Sequence, residues 1–426
     1  MMLMLYTTLL YLLQPAIWLH LWIRGRKSSA YRTRWAERYG FCTGKVNKHG
    51  ILLHAVSLGE TVTAIPLIRE LNHRYPHLPI VVTNMTPTGS AFAKGVLGTT
   101  VSHVYLPYDL PGVMKRFLNT VHPKLVIIME TEIWPNMITL LHTQKIPLII
   151  ANARLSEKSA KGYHIFGGFI ATLLQKITLI AVQNHEDGKR FLKLGVKKSQ
   201  LIVTGNLKFD MSIMPELAET AIRLRQRWIQ HKRPIWIAAS THQGEEKIII
   251  EAHCQLLKKF PDLLLIIAPR HPERCKTVCD LIQKKRLQHL VRSSQETPSL
   301  STQVVIEDAV GELRLLYAIA DMAFVGGSLI ERGGHNPLEP AANAIPILMG
   351  PYTFNFTEIC HDLKTAYGLI TVTNTRSLYQ EISTLLTNLD YRLHCGQQAW
   401  YVLNKNKGAL ESLLHILEPY LIKSKY

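Results

Sequence analysis

Ile51-Leu52-Leu53-His54-Ala55-Val56-Ser57-Leu58-Gly59-Glu60 is the stretch that decides the fold. An almost unbroken apolar run gives way to a serine, a glycine and a glutamate, and a helical pattern follows. A strand packed on one face alternates apolar with polar residues. This one does not alternate, so both its faces are buried, which calls for a parallel sheet covered by helices on each side. The same pattern recurs at Ile80–Thr83, Leu125–Met129, Leu148–Ala151, Leu179–Val182 and Leu201–Thr204. It repeats in the second half at Ile235–Ala239, Leu263–Ala268, Val304–Ile306, Ala323–Val325, Ile347–Met349 and Leu369–Val372. Between the halves, periodicity is lost at Lys208–Pro215, where the domain junction is expected.

The fold class is therefore α/β, with two Rossmann-like doubly wound domains facing an interdomain cleft. A chain of 426 residues is too long for one ordinary core and suits two such domains. The expected boundaries are 1–24 for an amino-terminal anchor helix, 25–212 for the first domain and 213–426 for the second. Leu410, Leu413, Leu414 and Leu417 mark a final amphipathic helix ending near Pro419, with the option of packing back on the first domain. Ligands of such sheets bind beyond the carboxyl ends of the strands, so the loops there are where chemistry is sought.

Outward from the sheets, Met1 to Ile23 is nearly all apolar and is followed by Arg24, Arg26, Lys27, Arg32, Arg34 and Arg38. A cleaved signal peptide carries its positive charges first and ends in small residues. This order points instead to a membrane anchor, spanning or lying in the interface, with the basic flank on the cytoplasmic side. A formal charge of +18 calls for an anionic partner or surface. Nucleic acid is disfavoured, because lysines and arginines are dispersed and no recognised binding motif is present. Six scattered cysteines, none in a C-x-x-C, read as free thiols rather than a disulfide framework or zinc site.

Five loops carry residues suited to chemistry. Ser57 to Glu60 reads as a capping box, or as a carboxylate at the mouth of the cleft able to act as general base. Met129-Glu130-Thr131-Glu132-Ile133-Trp134-Pro135-Asn136 places two acids directly beyond a buried strand. They are either a solvated pair at a helix start or part of a site. Lys208, in Thr204 to Asp210, is either an exposed lysine or a phosphate ligand. Pro269-Arg270-His271-Pro272 is a surface turn or an arginine fork for phosphate or carboxylate. Gly326 to Glu339 runs a glycine-rich loop into a helix start, with Asn336 as cap, Pro337 as first helical residue and Glu339 completing a box. Amides exposed there suit a phosphate; the alternative is a structural turn. No D-x-D occurs, which weakly favours a site that works without metal.

At these residues the chain resembles the Kdo transferase family, the 3-deoxy-D-manno-octulosonic acid transferases of lipopolysaccharide assembly. The matching segments are Ser57 to Thr61, Met85 to Gly89, Tyr105 to Asp109, Met129 to Asn136, Ala151 to Ser156, Pro269 to Arg274 and Phe324 to Glu339, in family order along the chain. The resemblance implies a GT-B fold, with an acceptor-binding first domain and a CMP-sugar-binding second domain. It implies an inverting, metal-independent transfer, with CMP-Kdo as donor and a tetraacylated lipid A precursor as acceptor, at the cytoplasmic face of a bacterial inner membrane. It assigns Glu60 as base and Glu130 and Lys208 as transition-state stabilisers. It places CMP against Pro269 and Arg270, Val310, Gly311 and Glu312, and Asn336, Pro337, Leu338 and Glu339. Arg24, Arg26 and Lys27 would face the acceptor's phosphates and the membrane. Two other readings stay open on the residues: a GT-B transferase using a UDP-hexose, and a membrane-tethered nucleic-acid-binding protein.

Overall fold

The computed structural model describes residues 1–42, 44, 46–210, 215–228, 233–309 and 311–422. The chain divides into two compact units, one of residues 1–210 with 407–426, the other of residues 211–406.

The first unit opens with two helices, α1 (Met2–Leu12) and α2 (Gln14–Lys27), bent by 47° at the break between them. Among the described residues no single helix is long and apolar enough to cross a membrane, although this bent pair passes by length and composition. Polar hooks tie α1 to the body. Tyr6 donates to Asp109 Oδ2 at 3.1 Å, and Asn136 Nδ2 donates to Thr7 Oγ1 at 3.1 Å.

Seven parallel strands follow: β1 (Ile51–His54), β2 (Ile80–Asn84), β3 (Ser102–Tyr105), β4 (Leu125–Met129), β5 (Leu148–Ala153), β6 (Leu179–Val182) and β7 (Leu201–Val203). Their order across the sheet is β3-β2-β1-β4-β5-β6-β7. Alternate residues of one strand enter opposite cores, Ile51 and Leu53 on one face and Leu52 on the other. This is why the sequence shows no polar alternation. Three helices of this unit matter below: α3 (Leu58–Arg74), α4 (Glu157–His164) and α5 (Gly167–Leu174).

The second unit repeats the plan with β8 (Ile235–Thr241), β9 (Leu264–Pro269), β10 (His289–Val291), β11 (Val304–Ile306), β12 (Met322–Val325), β13 (Ile347–Met349) and β14 (Leu369–Thr371). All pairings are parallel, in the order β10-β11-β9-β8-β12-β13-β14. The expected strands are present, and two more, β3 and β10, were not anticipated. Both lie at a sheet edge. Only half of β3 is buried and β10 is partly exposed throughout, so neither needs the unbroken apolar run that betrays a central strand.

In this unit the glycine-fed helix is α6 (Leu338–Ala342), and the chain then closes with α7 (Ala409–Ile422), which belongs to the first unit. Its Leu413, Leu414, Leu417 and Leu421 join the core on the α3 side of the first sheet. Asp210 fixes its start by accepting the Gly408 and Leu410 amides at 2.6 and 2.7 Å, satisfying donors that an α-helix leaves unpaired at its N-terminus. Of the two placements open to the final helix within the 213–426 stretch, the structure shows the return to the first unit.

Candidate active site

Glu60 stands at the third position of α3, directly beyond β1. Ser57 caps this helix, accepting from the Glu60 amide at 3.4 Å. The Glu60 carboxylate folds back on the chain that leads into the helix. One oxygen accepts from the Val56 amide at 2.7 Å and the other from the Ser57 hydroxyl at 2.9 Å. The bland and the functional readings of Ser57 to Glu60 thus coincide: the cap is real, and it aims the carboxylate. Burial pushes the Glu60 carboxyl above its ordinary value and the charge of Glu130 pushes the same way, against the pull of the Val56 amide, the Ser57 hydroxyl and Arg154.

Glu130 follows β4 with φ +58°, a left-handed conformation that a non-glycine residue holds only where its surroundings enforce it. The Glu130 amide donates to the Ala151 carbonyl at 2.9 Å, so the turn is locked to β5. Its nearly buried carboxylate meets Arg154 Nε at 2.7 Å and Lys208 Nζ at 3.9 Å. Lys208 is itself held in place: Leu207 N donates to Asn152 Oδ1 at 2.9 Å, and Lys208 N donates to Asn206 Oδ1 at 3.0 Å. Glu130 and Lys208, the two residues to which the resemblance gives transition-state roles, thus lie side by side.

Glu60, Glu130, Thr131, Glu132 and Arg154 line one cavity of about 400 Å³, closed on the α4 side by Ser156, Ser159 and Tyr163. Glu132 was quoted in its motif without a role. Here burial, helped by the charges of Glu60 and Glu130, pushes its carboxyl up to about 7. Arg154 was likewise only part of a matched segment, yet it provides the short ion pair to Glu130. Tyr163, on a helix that buries none of its residues, left no sequence signal at all. Three carboxylates and Arg154 in one cavity, with Lys208 beside Glu130, can accept a proton and can balance a developing positive charge. Beneath them His54 is structural: fully buried and pushed down to about 3, it is neutral and bonded to Thr83 Oγ1 at 2.9 Å.

In the second unit, Pro269 ends β9 and the Arg270 amide donates to the Thr241 carbonyl at 2.9 Å. Three imidazoles gather beside Arg270. His242 and His335 stack with ring planes 9° apart and approach to 2.9 Å between Nε2 atoms, and His271 meets His242 edge-on at 5.7 Å between centroids. Burial, aided by the His242, Arg270 and His271 charges, pushes His335 down to about 4. Glu339 is pushed up by burial against the opposing charges of Arg314 and Arg270, so the arginine turn and the Asn336–Glu339 segment share one electrostatic environment. Among the remaining expected contacts, Val310 lies outside the described residues and Gly311 holds φ +104°. Glu312 pairs with Arg292 at 3.2 Å and lines a cavity of about 410 Å³ with Trp228 and Arg227.

The glycine-rich loop corrects one expectation. The amides of Gly327, Ser328 and Leu329 are not left for a phosphate: all three donate to the buried Glu245 carboxylate, at 2.8, 3.1 and 3.0 Å. The glycines serve the loop itself. A Cβ at Gly326 would lie 2.5 Å from the Ser240 carbonyl oxygen, and Gly327, Gly333 and Gly334 all hold positive φ. The helix start also shifts by one residue. Pro337 occupies the cap position, Asn336 Oδ1 accepts from Leu338 N at 3.1 Å, and α6 is only five residues long, so little dipole can accumulate there.

The amino-terminal cations are placed but not gathered with these residues. The Arg26 guanidinium lies over the Trp22 ring at 4.3 Å and that of Arg24 over the Tyr31 ring at 5.3 Å, while Lys27 ends α2.

Comparison with known proteins adds the following. Residues 33–211 match the family described as 3-deoxy-D-manno-octulosonic-acid transferase (kdotransferase). A 3-deoxy-D-manno-octulosonic acid transferase from Haemophilus influenzae is 47% identical over 420 residues, covering 98% of each chain. One from Bordetella pertussis is 32% identical over 430 residues, 98% of this chain and 99% of its own. A solved glycosyltransferase from Rickettsia africae superposes with a TM-score of 0.54 at 15% identity, over 88% of this chain and 99% of that one, a likeness of fold alone.

Proposed function

The chain belongs to the 3-deoxy-D-manno-octulosonic acid (Kdo) transferase family, and from that premise we propose that it moves Kdo from CMP-Kdo to a lipid A precursor with inversion at the anomeric carbon. It is a glycosyltransferase of GT-B fold. The observation that carries the finer reading is the cavity lined by Glu60, Glu130, Glu132 and Arg154, with Lys208 reaching Glu130 at 3.9 Å.

Glu60 is the base. Its two hydrogen bonds fix its orientation, and its raised pKa makes it a stronger proton acceptor than an exposed glutamate. It takes the proton of an acceptor hydroxyl as the oxygen attacks the anomeric carbon and CMP departs from the opposite face. The sugar passes through an oxocarbenium-like state, as in glycoside hydrolysis, and the Glu130 carboxylate balances its positive charge. Lys208 and Arg270 supply positive charge suited to the departing phosphate, without a metal. Pro269, Gly311, Glu312 and Asn336 to Glu339, with Val310, form the donor-binding set on the second unit.

The acceptor is anionic and lipid-borne. The apolar exposed faces of α1 and α2, with Trp22 under Arg26, suit a place in the membrane interface on the cytoplasmic side. Arg24, Arg26 and Lys27 would meet anionic headgroups there, which gives the charge of +18 a use without nucleic acid. The test is a donor panel: purified protein with lipid A precursor and either CMP-Kdo or UDP-hexoses, with products weighed and Kdo units counted by mass. Transfer from CMP-Kdo in the presence of a chelator is the expected result; transfer only from a UDP-sugar would overturn it.

A further inference from the structure

The carboxylate cavity continues beyond its polar rim. Ser159 and Tyr163, which close it, also line a second cavity of about 540 Å³ whose lining contains no charged residue. Its walls are Leu5 and Leu9 of α1 on one side and Phe166, Phe169 and Ile170 of the α4–α5 corner on the other. The α1 wall is anchored rather than loosely laid on. Tyr6 and Thr7, on the same helix, bond to Asp109 and Asn136, and the Asp109 carboxylate also accepts the Asn136 and Met137 amides at 2.8 Å each.

A second observation points to an occupant. Gly162 lies inside α4 and lines this groove, yet a Cβ built on it meets nothing within 4 Å. A glycine inside a helix costs stability, and here no neighbour requires one. The space it leaves opens into the groove. At the corner, Ile165 and Phe166 are 78% and 51% exposed, and Leu5 and Leu9 are exposed as well, an apolar rim of the kind that marks a binding surface.

We propose that this groove receives one fatty acyl chain of the acceptor, threading between α1 and the α4–α5 corner while the acceptor's sugar hydroxyl reaches the carboxylates past Ser159 and Tyr163. The proposal rests on the lipid acceptor put forward above. The uncharged lining excludes a sugar phosphate. The junction with an acid-lined cavity selects an amphiphile over a wholly apolar partner. A volume of about 540 Å³ lies in the range of pockets that bury small ligands, about 300–1,000 Å³.

The test uses the full chain with Gly162→Trp, which fills the groove from a position with open space, and Phe166→Asp, which charges its rim. Denaturation midpoints establish that both variants are folded. The probe is a glucosamine phosphate carrying a single tetradecanoyl chain, compared below its micelle concentration with the same head lacking the chain. The wild-type protein should bind the acylated probe at least tenfold more tightly, since two buried methylenes alone are worth about that much. Both variants should lose most of that chain-dependent advantage. If the advantage persists in both, or if sedimentation shows that they alter only self-association of the chain, the groove is not an acyl site. Kdo transfer by the wild-type protein is read separately. Absence of transfer with loss of chain-dependent binding in the variants would retain the groove and reject the proposed pairing of CMP-Kdo with a lipid A precursor, whereas transfer with an unaltered chain advantage would do the reverse.

Discussion

Glu60 is aimed by two donors that precede it in the chain, so its role is open to a substitution that keeps its shape. Glu60→Gln is expected to lower turnover by about 10²- to 10⁴-fold with little change in denaturation midpoint, because the amide keeps the shape, can accept the Val56 amide and can donate to a rotated Ser57 hydroxyl, but cannot take a proton. The acid limb of kcat/KM in the unaltered enzyme should lie above the ordinary carboxylate value of 4.5 and vanish in the variant. Near-normal turnover of Glu60→Gln would remove it as base. Glu132 gives a stability test with a definite sign. Its folded pKa of about 7 exceeds the ordinary 4.5, so between those values the folded chain binds more proton than the unfolded one. Stability contributed by neutral Glu132 is therefore present below about 4.5 and lost as pH rises through about 7. Glu132→Gln should raise the denaturation midpoint at pH 8 and leave it nearly unchanged at pH 4; the opposite pattern would show that Glu132 is favoured as an anion. Glu60 and Glu130 stand directly beyond buried strands, a place that suits a cap or a solvated pair as well, and the family resemblance is what gave them roles. Glu132 stands out in the same motif, but its raised pKa was not legible, since it comes from burial first and then from carboxylates that the fold brings to it.

At the scale of elements, the loop after β12 shows a composition rule outrun by its surroundings. Four glycines before a helix start read as a phosphate cradle ahead of a structural turn, and the structure gives residues 327–329 to Glu245, the first residue of the helix that follows β8. Glu245→Ala would strand three buried or half-buried amides, each costing about 1–3 kcal/mol. We expect a clearly lower denaturation midpoint for the second unit and weaker CMP binding by calorimetry. Unchanged values for both would mean that the loop holds its shape alone. The edge strands β3 and β10 make the converse point. Ser102 and His103 begin one and His289 the other, polar residues that a central strand buried on two faces would exclude and an edge accommodates. The other two edges, β7 and β14, keep short apolar runs and are legible by composition, whereas β3 and β10 are defined by a neighbour.

At the scale of the molecule, α7 completes a core that the sequence begins more than 300 residues earlier. Its four buried leucines are each worth about 1.5–3 kcal/mol. Together they rival the whole stability of an ordinary domain, about 5–15 kcal/mol. Removing residues 407–426 should leave the first unit open to protease or insoluble, and a protease-resistant product would contradict the packing. Removing residues 1–27 should instead leave both sheets folded, because among the described residues Leu21 is the one hydrophobic residue of α1 and α2 that is buried, and should abolish sedimentation with anionic vesicles. Retained sedimentation would place the membrane contact elsewhere. What the sequence determined by itself was the pair of parallel sheets, because a strand covered on both faces must be apolar at every position and that requirement is written locally. It also named Glu60 and Glu130, whose segments have a recognisable order, and Lys208 through the same resemblance. What only the tertiary structure decided was company. The strand order puts β1 beside β4 and β4 beside β5, so the loops bearing Glu60, Glu130 and Arg154 converge although 70 and 24 positions separate them along the chain. Strand order, helix return and the engagement of one loop by a distant acid are set by long-range packing, and no local pattern of residues records it.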